Sequence, residues 1–170
     1  MSKKNKDGAM VKEKTMAGQK VMTKQEVIGK LAAMCARAEH CGQDMRKRME
    51  RWGIESEVQQ EVTDYLVSEG YIDEGRYARY FINDKVKFNR WGRRKVEQAL
   101  RMKGIAQEVY APLLDEVERE TYEEVLMPLL RSKARTVKYK NDYERRMKLI
   151  RYAMQRGFSY DEAEHCLAQM

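Results

Sequence analysis

The sequence predicts an all-α protein, and three observations support this fold class. Only 2 of the 170 residues are Pro and 10 are Gly, and straight-chain residues, which lose little rotamer freedom in a helix, outnumber β-branched ones. Apolar residues recur at helical spacing, and glycines or capping residues separate these runs. With 42% hydrophobic residues, a chain of this length can bury a core without disulfides or a metal.

The first two helices are predicted to follow a disordered basic tail over residues 1–22. Thr23 and Glu26 have capping-box spacing, in which each side chain satisfies the other's exposed backbone donor. The apolar residues of the first helix then continue to Ala38. The second helix is predicted to end at Gly53.

The third helix is predicted to open at a second capping-box spacing, Ser56 with Gln59, and to close at Gly70, which fits a left-handed cap. Asp73 then caps a fourth helix, which ends before Trp91. The remaining five helices follow from the same signals, with breaks at Gly104-Ile105, Asp142, Gly157-Phe158 and Ser159/Glu162.

Two of these later helices contain a proline. The sixth either starts near Ala111 or kinks at Pro112, and the seventh, over roughly 119–138, has the same problem at Pro128, because proline lacks a backbone donor and clashes with the preceding turn.

A repeat of about 50 residues runs through the chain. Glycines at 53, 104 and 157 are each preceded, four and eight residues earlier, by small or apolar residues, namely Met49, Leu100 and Ala153, and Met45, Val96 and Leu149. This spacing predicts three three-helix repeats over 23–71, 72–118 and 119–170. Such repeats stack in a row, so we expect an elongated, curved molecule with a concave face for an extended partner.

Composition and motifs argue against several classes of protein. No uncharged stretch approaches the roughly 20 apolar residues of a membrane span, and the three cysteines form no CxxC pair, which indicates reduced thiols in a cytoplasmic protein. Phosphate-binding glycine loops are missing, and the spacing of Cys35, His40 and Cys41 departs from that of zinc sites. The sequence therefore predicts no enzyme, no cofactor, no metal and no membrane segment.

Charge alternates in blocks along the chain, which has a net charge of +7. Residues 85–103 hold eight Lys and Arg with one acid, residues 106–124 hold seven acids with one Arg, and residues 131–151 hold nine Lys and Arg with two acids. Such blocks favour a polyanionic partner or a charge-patterned protein surface, although basic runs are also common on solvated helix faces.

The most informative stretch is residues 76–103, where basic residues alternate with aromatic ones. Guanidinium groups suit phosphate or carboxylate, and aromatic faces stack on bases, although Phe81 and Trp91 are expected to lie in the core. We predict a partner- or DNA-binding surface made of Arg76, Arg79, Lys85, Lys87, Arg90, Arg93, Arg94, Lys95, Arg101 and Lys103.

The same stretch carries a family resemblance. The runs YIDEGRYARYFINDK (71–85), WGRRKV (91–96) and LRMKGI (100–105) resemble the signature of RecX regulatory proteins, which are bacterial modulators of the RecA recombinase. The outer pieces CARAEHC (35–41), KRMERWG (47–53) and RGFSY (156–160) fit the first and last repeats. The resemblance spans roughly residues 27–168. The basic tail, Pro112 and Pro128 depart from the family pattern.

The resemblance implies tandem three-helix repeats without catalytic residues. It implies binding in the groove of the RecA–single-stranded DNA filament, with inhibition of ATP hydrolysis, strand exchange and filament extension, and hence modulation of DNA repair and the SOS response. The basic positions that it transfers are Arg76, Arg79, Lys85, Arg93, Lys95 and Lys103.

Two other functions fit the residues. The chain could be a nucleic-acid-binding helical module that binds without sequence specificity and acts without RecA, or an adaptor whose concave face binds an acidic protein. A monomer is expected in each case.

Overall fold

The structure, a computed structural model, describes residues 22–170. Within that range it contains α-helices and no β-strand, which confirms the predicted fold class. The nine described helices are α1 Lys24–Cys35, α2 Gly42–Arg51, α3 Ser56–Ser68, α4 Glu74–Lys87, α5 Arg93–Met102, α6 Gln107–Asp115, α7 Arg119–Ala134, α8 Asp142–Gln155 and α9 Tyr160–Ala168. The tail predicted over residues 1–22 lies outside the described residues, apart from its last residue.

Side-chain caps begin several helices where the sequence predicts them. Thr23 and Glu26 form a capping box at the start of α1, and Ser159 and Glu162 form another at the start of α9. Asp73 caps α4 by accepting a hydrogen bond at 2.7 Å from a backbone N–H of its first turn. Each cap satisfies donors that have no partner within the helix.

Two predicted boundaries in the first three helices are wrong. Ser56 is the first residue of α3 rather than its cap, and Gln59 donates its side-chain amide to the Ile54 carbonyl at 2.7 Å instead of closing a capping box. The first helix ends at Cys35, three residues before Ala38, because the backbone turns there with hydrogen bonds to earlier carbonyls.

The second helix of each triple ends in the same turn, which confirms the repeat. Each of the three glycines has a left-handed φ, of 71°, 74° and 93° in order. The N–H that follows each glycine bonds to the carbonyl five residues before it, as in a Schellman motif: Ile54 to Met49 at 3.0 Å, Ile105 to Leu100 at 3.1 Å and Phe158 to Ala153 at 3.2 Å.

The two prolines lie inside helices. α6 begins at Gln107, so a start near Ala111 is excluded, and it continues through Pro112. α7 contains Pro128 and ends at Ala134, before the predicted end at residue 138. Both proline side chains are exposed, so their rings lie on helix faces that do not pack into the core.

Two hydrophobic cores lie beneath the nine described helices. The first unit, α1–α3, has its own core of Val27, Leu31, Met45, Met49, Val62, Leu66 and Ile72. The second unit, α4–α6, and the third, α7–α9, share one continuous core that runs from Tyr77 to Cys166. Cys41, from the loop between α1 and α2, is buried in this shared core. The chain therefore has one three-helix unit with a core of its own, followed by a pair of units that share a core.

The second and third units are joined through their backbones. The Gly92 N–H donates to the Arg156 carbonyl at 2.8 Å, and the Arg94 N–H donates to the Gly157 carbonyl at 3.0 Å. A Cβ on Gly92 would lie 2.3 Å from the Gly157 carbonyl carbon. This contact, which we call the glycine seam, exists because neither residue has a side chain.

Candidate interaction surface

The ten predicted binding residues lie on the second unit, and they divide by what their side chains contact. Five of them form ion pairs of 2.6–2.7 Å with carboxylates of the same chain: Arg76 with Glu39, Arg79 with Glu116, Lys85 with Asp84, Arg93 with Asp115, and Lys103 with Asp44. Much of the basic block is therefore neutralised by acids from elsewhere in the chain.

Two of these ion pairs join the first unit to the second. Arg76 reaches Glu39 with its Nε and the Gly70 carbonyl, at 3.2 Å, with a terminal nitrogen. Lys103, which is two-thirds buried, donates to both carboxylate oxygens of Asp44 at 2.7 and 2.9 Å. These two cations hold the units together as well as adding positive charge.

The pKa of the Asp44 carboxyl group reflects its contacts at the junction between the first and second units. Its burial raises its pKa, but hydrogen bonds from Lys103 and from the Cys41 thiol, together with the charge of Lys103, outweigh that cost, so the pKa lies below its ordinary value. Asp44 is therefore a carboxylate, and Lys103 carries its positive charge against it.

Two further predicted residues, Lys95 and Arg101, contact an aromatic ring or a hydroxyl. The Lys95 Nζ lies 4.6 Å from the centroid of the Trp91 ring. The Nζ of Lys85, which is also ion-paired, lies 5.7 Å from the same centroid, so two cations make cation–π contacts with one indole. Arg101 shares a hydrogen bond with the hydroxyl of Tyr110, which raises the pKa of the guanidinium.

The remaining three predicted residues are exposed and have no ion pair among the described residues: Lys87, Arg90 and Arg94. In sequence they lie within six residues of Phe88, whose side chain is 80% exposed, the highest value of any described large hydrophobic residue. We call residues 87–94, from the end of α4 to the start of α5, the α4–α5 tip. It combines unpaired cations with an open aromatic face.

The backbone of the α4–α5 tip is fixed at several points. Arg90 has a φ of 55°, the one left-handed residue other than glycine in the described chain. The Trp91 N–H donates to the Lys85 carbonyl at 3.0 Å, and the next residue belongs to the glycine seam. The tip is thus held by its own helix and by the third unit.

The aromatic residues of this stretch differ in burial, and the sequence predicted only part of the difference. Phe81 lies in the core, as predicted, and Tyr77 is buried beside it with ring centroids 5.8 Å apart. Trp91 is half-buried at the edge of the core. Tyr80 and Phe88 are exposed.

A second basic and aromatic surface lies on the third unit, and sequence reasoning did not select it as a site. Tyr143 is 74% exposed, and Arg145 lies 5.3 Å from the ring centroid of the exposed Tyr139. Arg146 and Lys148 are paired with Glu164 and Glu144. The positive charge of residues 131–151 indicated this surface in the sequence, but the ion pairs of its cations are visible only in the folded structure.

A cleft lies beside the ion pairs of the second unit. It has a volume of about 270 Å³ and lies between α4, α6 and the start of α7, and the Arg79–Glu116 ion pair crosses its lining. Among residues 22–170 no group of three or more His, Cys, Asp and Glu side chains is arranged to hold a metal. Within the same range, no helix is long and apolar enough to cross a bilayer.

Comparison with known families matches two parts of the chain. Residues 73–111 match the second three-helix domain of RecX, and residues 120–167 match its third. Together these matches cover half of the chain, and they coincide with the pair of units that share a core.

Curated relatives carry the name regulatory protein RecX. The protein from Finegoldia magna is 31% identical over 111 residues, which are 64% of this chain and 54% of that protein. The one from Lactobacillus johnsonii is 26% identical over 122 residues, 72% of this chain and 45% of that protein. The match thus spans about half the length of these relatives.

Solved structures share the fold. RecX from Lactobacillus salivarius superposes with a TM-score of 0.74 at 14% identity, over 86% of this chain and 95% of that one. A second structure, described as regulatory protein RecX, gives a TM-score of 0.78 at 18% identity, over 85% of this chain and 73% of that one. At such low identity the likeness concerns the fold alone.

Proposed function

The chain belongs to the RecX family, and from that premise we propose that it is a regulatory protein that binds the RecA–single-stranded DNA filament in its groove. There it would inhibit ATP hydrolysis, strand exchange and filament extension. It would act in the cytoplasm as a monomer, on DNA repair and the SOS response, by obstruction rather than by catalysis.

The observation that carries this proposal is the α4–α5 tip within the domain that matches the family. Lys87, Arg90 and Arg94 form no ion pair with a carboxylate of the described chain. Their charges therefore remain available to a polyanion. Neutralising phosphates with such cations releases counterions, and binding should therefore weaken steeply as salt is raised.

The repeat architecture supports a filament as the partner. Three linked units can contact successive parts of a periodic surface, and each contact raises the effective concentration of the next. Modest affinity at any single contact is then enough to block a groove.

The proposal is tested by ATP hydrolysis of a preformed RecA filament on single-stranded DNA, with this protein titrated well below the RecA concentration. Inhibition at substoichiometric amounts is expected, because one elongated molecule would cover several protomers. Inhibition that appears only when the protein saturates the DNA would contradict the proposal.

That contrary result would favour the second candidate, a nucleic-acid-binding module that acts without RecA. The specific feature behind this candidate is the exposed Phe88 among unpaired cations, which suits bare single strands as well as a filament. Binding to DNA in the absence of RecA, with no effect on the filament at low ratios, distinguishes the two.

A further inference from the structure

We propose that the α4–α5 tip binds single-stranded DNA directly, with the Phe88 ring as a stacking platform for one base and Lys87, Arg90 and Arg94 on the flanking phosphates. The inference rests on the proposed function and narrows it, because it assigns the DNA contact to three of the ten predicted basic residues and to a phenyl ring.

The exposure of Phe88 is the first observation. Phe88 is 80% exposed, compared with 58% for Tyr80 of α4 and 6% and 9% for Tyr77 and Phe81 of the same helix. A single exposed hydrophobic residue is ordinary on a protein surface. This one differs because unpaired cations precede and follow it in the sequence, at Lys87 and Arg90. Stacking of a base on an aromatic ring is tolerant of sequence, since every base has a π-face.

The distribution of acids is the second observation. Three carboxylates of this region are already engaged by other cations: Asp84 by Lys85, Asp115 by Arg93 and Glu116 by Arg79. Lys87, Arg90 and Arg94 are paired with none of these carboxylates. A phosphate that approaches these three cations displaces no carboxylate from an ion pair with them.

The fixed backbone is the third observation. Arg90 is held at a φ of 55°, a left-handed conformation that residues with a Cβ rarely adopt. The tip is also anchored by the hydrogen bonds of Gly92 and Arg94 to the third unit. A platform whose backbone is already ordered loses little conformational entropy when a strand binds.

Single-stranded DNA fits these features better than other polyanions do. In a duplex the base faces are covered by their neighbours, so a phenyl ring gains no stacking partner. An acidic protein surface would satisfy the cations but offers no use for the exposed ring. A single strand provides phosphates and open base faces together.

The test is fluorescence anisotropy of the full chain with a labelled oligodeoxythymidylate of about 15 nucleotides, a length within the range that single-strand binders cover. A second probe of the same length carries abasic sugars in place of thymidines. Phe88→Ala should weaken binding to the first probe by roughly 5- to 150-fold and leave binding to the abasic probe unchanged. Phe88→Trp should restore the preference for bases.

Charge variants supply the complementary test. Lys87→Gln combined with Arg94→Gln should weaken binding to both probes and reduce the salt slope by about 1.4, since each phosphate contact on a single strand contributes about 0.7. Two matched controls should behave as wild type: Tyr143→Ala, which removes another exposed aromatic ring, and Arg119→Gln, which removes a cation already paired with Glu123.

The inference is overturned if the wild type binds both probes equally, or if Phe88→Ala keeps full affinity for the thymidine probe. It is also overturned if the variants lose filament inhibition but bind free DNA normally, since the tip would then contact protein. In that last case the proposed function stands. Conversely, a wild type that stacks on DNA but leaves filament ATP hydrolysis unchanged upholds the inference and refutes the proposed function.

Discussion

At the residue scale, glycine at position 92 determines how the second and third units meet. Its φ is an ordinary −76°, so any residue could adopt the backbone, and the requirement is purely one of space. A Cβ would lie 2.3 Å from the backbone carbon of Gly157 and from the backbone nitrogen of Phe158. Backbone atoms cannot move aside as a flexible side chain can.

We expect Gly92→Ala to lower the free energy of unfolding by roughly 3 kcal/mol, the upper part of the range for overpacking. The matched control is Gly29→Ala in α1, which has nothing within 4 Å of the new Cβ and should raise the free energy of unfolding by about 1 kcal/mol through helix propensity. Urea denaturation measures both. Equal effects of the two variants would contradict the role of the seam.

The ion pair between Asp44 and Lys103 gives a pH dependence. The pKa of Asp44 is lowered in the folded chain, so its stabilising contribution is complete above the ordinary aspartate pKa and is lost as the pH falls through the lower folded value. Wild type should therefore exceed Asp44→Asn in the free energy of unfolding at neutral pH, and the difference should shrink below pH about 4. Denaturation curves across this range test it, and a difference that stays constant with pH would argue against the pair.

Charge counting along the sequence could find the basic block but not its pairing. The partners of Arg76 and Lys103 lie 37 and 59 residues away, and no local pattern relates them. The exposure of Phe88 against the burial of Phe81, seven residues earlier on the chain, likewise depends on where α4 ends and which elements cover it. The sequence could therefore predict which basic residues make up the surface. Only the fold shows that Lys87, Arg90 and Arg94 are the exposed ones without an ion pair among the described residues.

At the scale of elements, both capping residues and tertiary packing determine where the helices begin and end. Capping boxes and Schellman glycines have local sequence signatures, so most starts and ends could be predicted from the sequence. Of the two alternatives predicted for α6, the structure excludes a start near Ala111, because packing continues the helix through Pro112. Tyr110 and Leu114, on either side of Pro112, are buried at 1% and 0% exposure, and their burial outweighs the lost backbone hydrogen bond.

We expect Pro112→Ala to stabilise the chain, because it restores an N–H donor within α6 and the exposed ring contributes no core packing. The gain should be of the order of 1–3 kcal/mol, bounded by the cost of proline inside a helix. Thermal unfolding followed by circular dichroism measures it. A loss of stability would mean that the ring has a packing role that its exposure does not suggest.

At the scale of the whole molecule, the two cores divide the chain unevenly. The first unit has its own core, and its junction with the rest depends on the ion pairs of Glu39 and Asp44 and on the buried Cys41. The second and third units share a core and the glycine seam. The repeat in the sequence predicts three equivalent units, but it could not show that two of them share a core. Gly92 lies outside the repeated positions, and Gly157 both ends α8 and contacts Gly92.

Cavity substitutions in the two cores should therefore act on different parts of the chain. Leu31→Ala and Leu126→Ala each remove a fully buried side chain, one from each core, at an expected cost of 2–5 kcal/mol. Hydrogen exchange should show Leu31→Ala loosening α1–α3 while α4–α9 keep their protection. Leu126→Ala should loosen α4–α9 together. A uniform loss of protection in both variants would indicate a single cooperative body.

The glycine seam also bears on how the chain is made. Residues on the amino-terminal side leave the ribosome first, and α1–α3 can close their own core as soon as they emerge. Gly92 has no partner until Gly157 has been translated, a delay of several seconds at roughly 5–20 residues per second. During that interval the apolar face of α4–α6 is exposed to solvent. The second unit is therefore the part of a nascent chain that we expect chaperones to hold, until the third unit arrives to cover it.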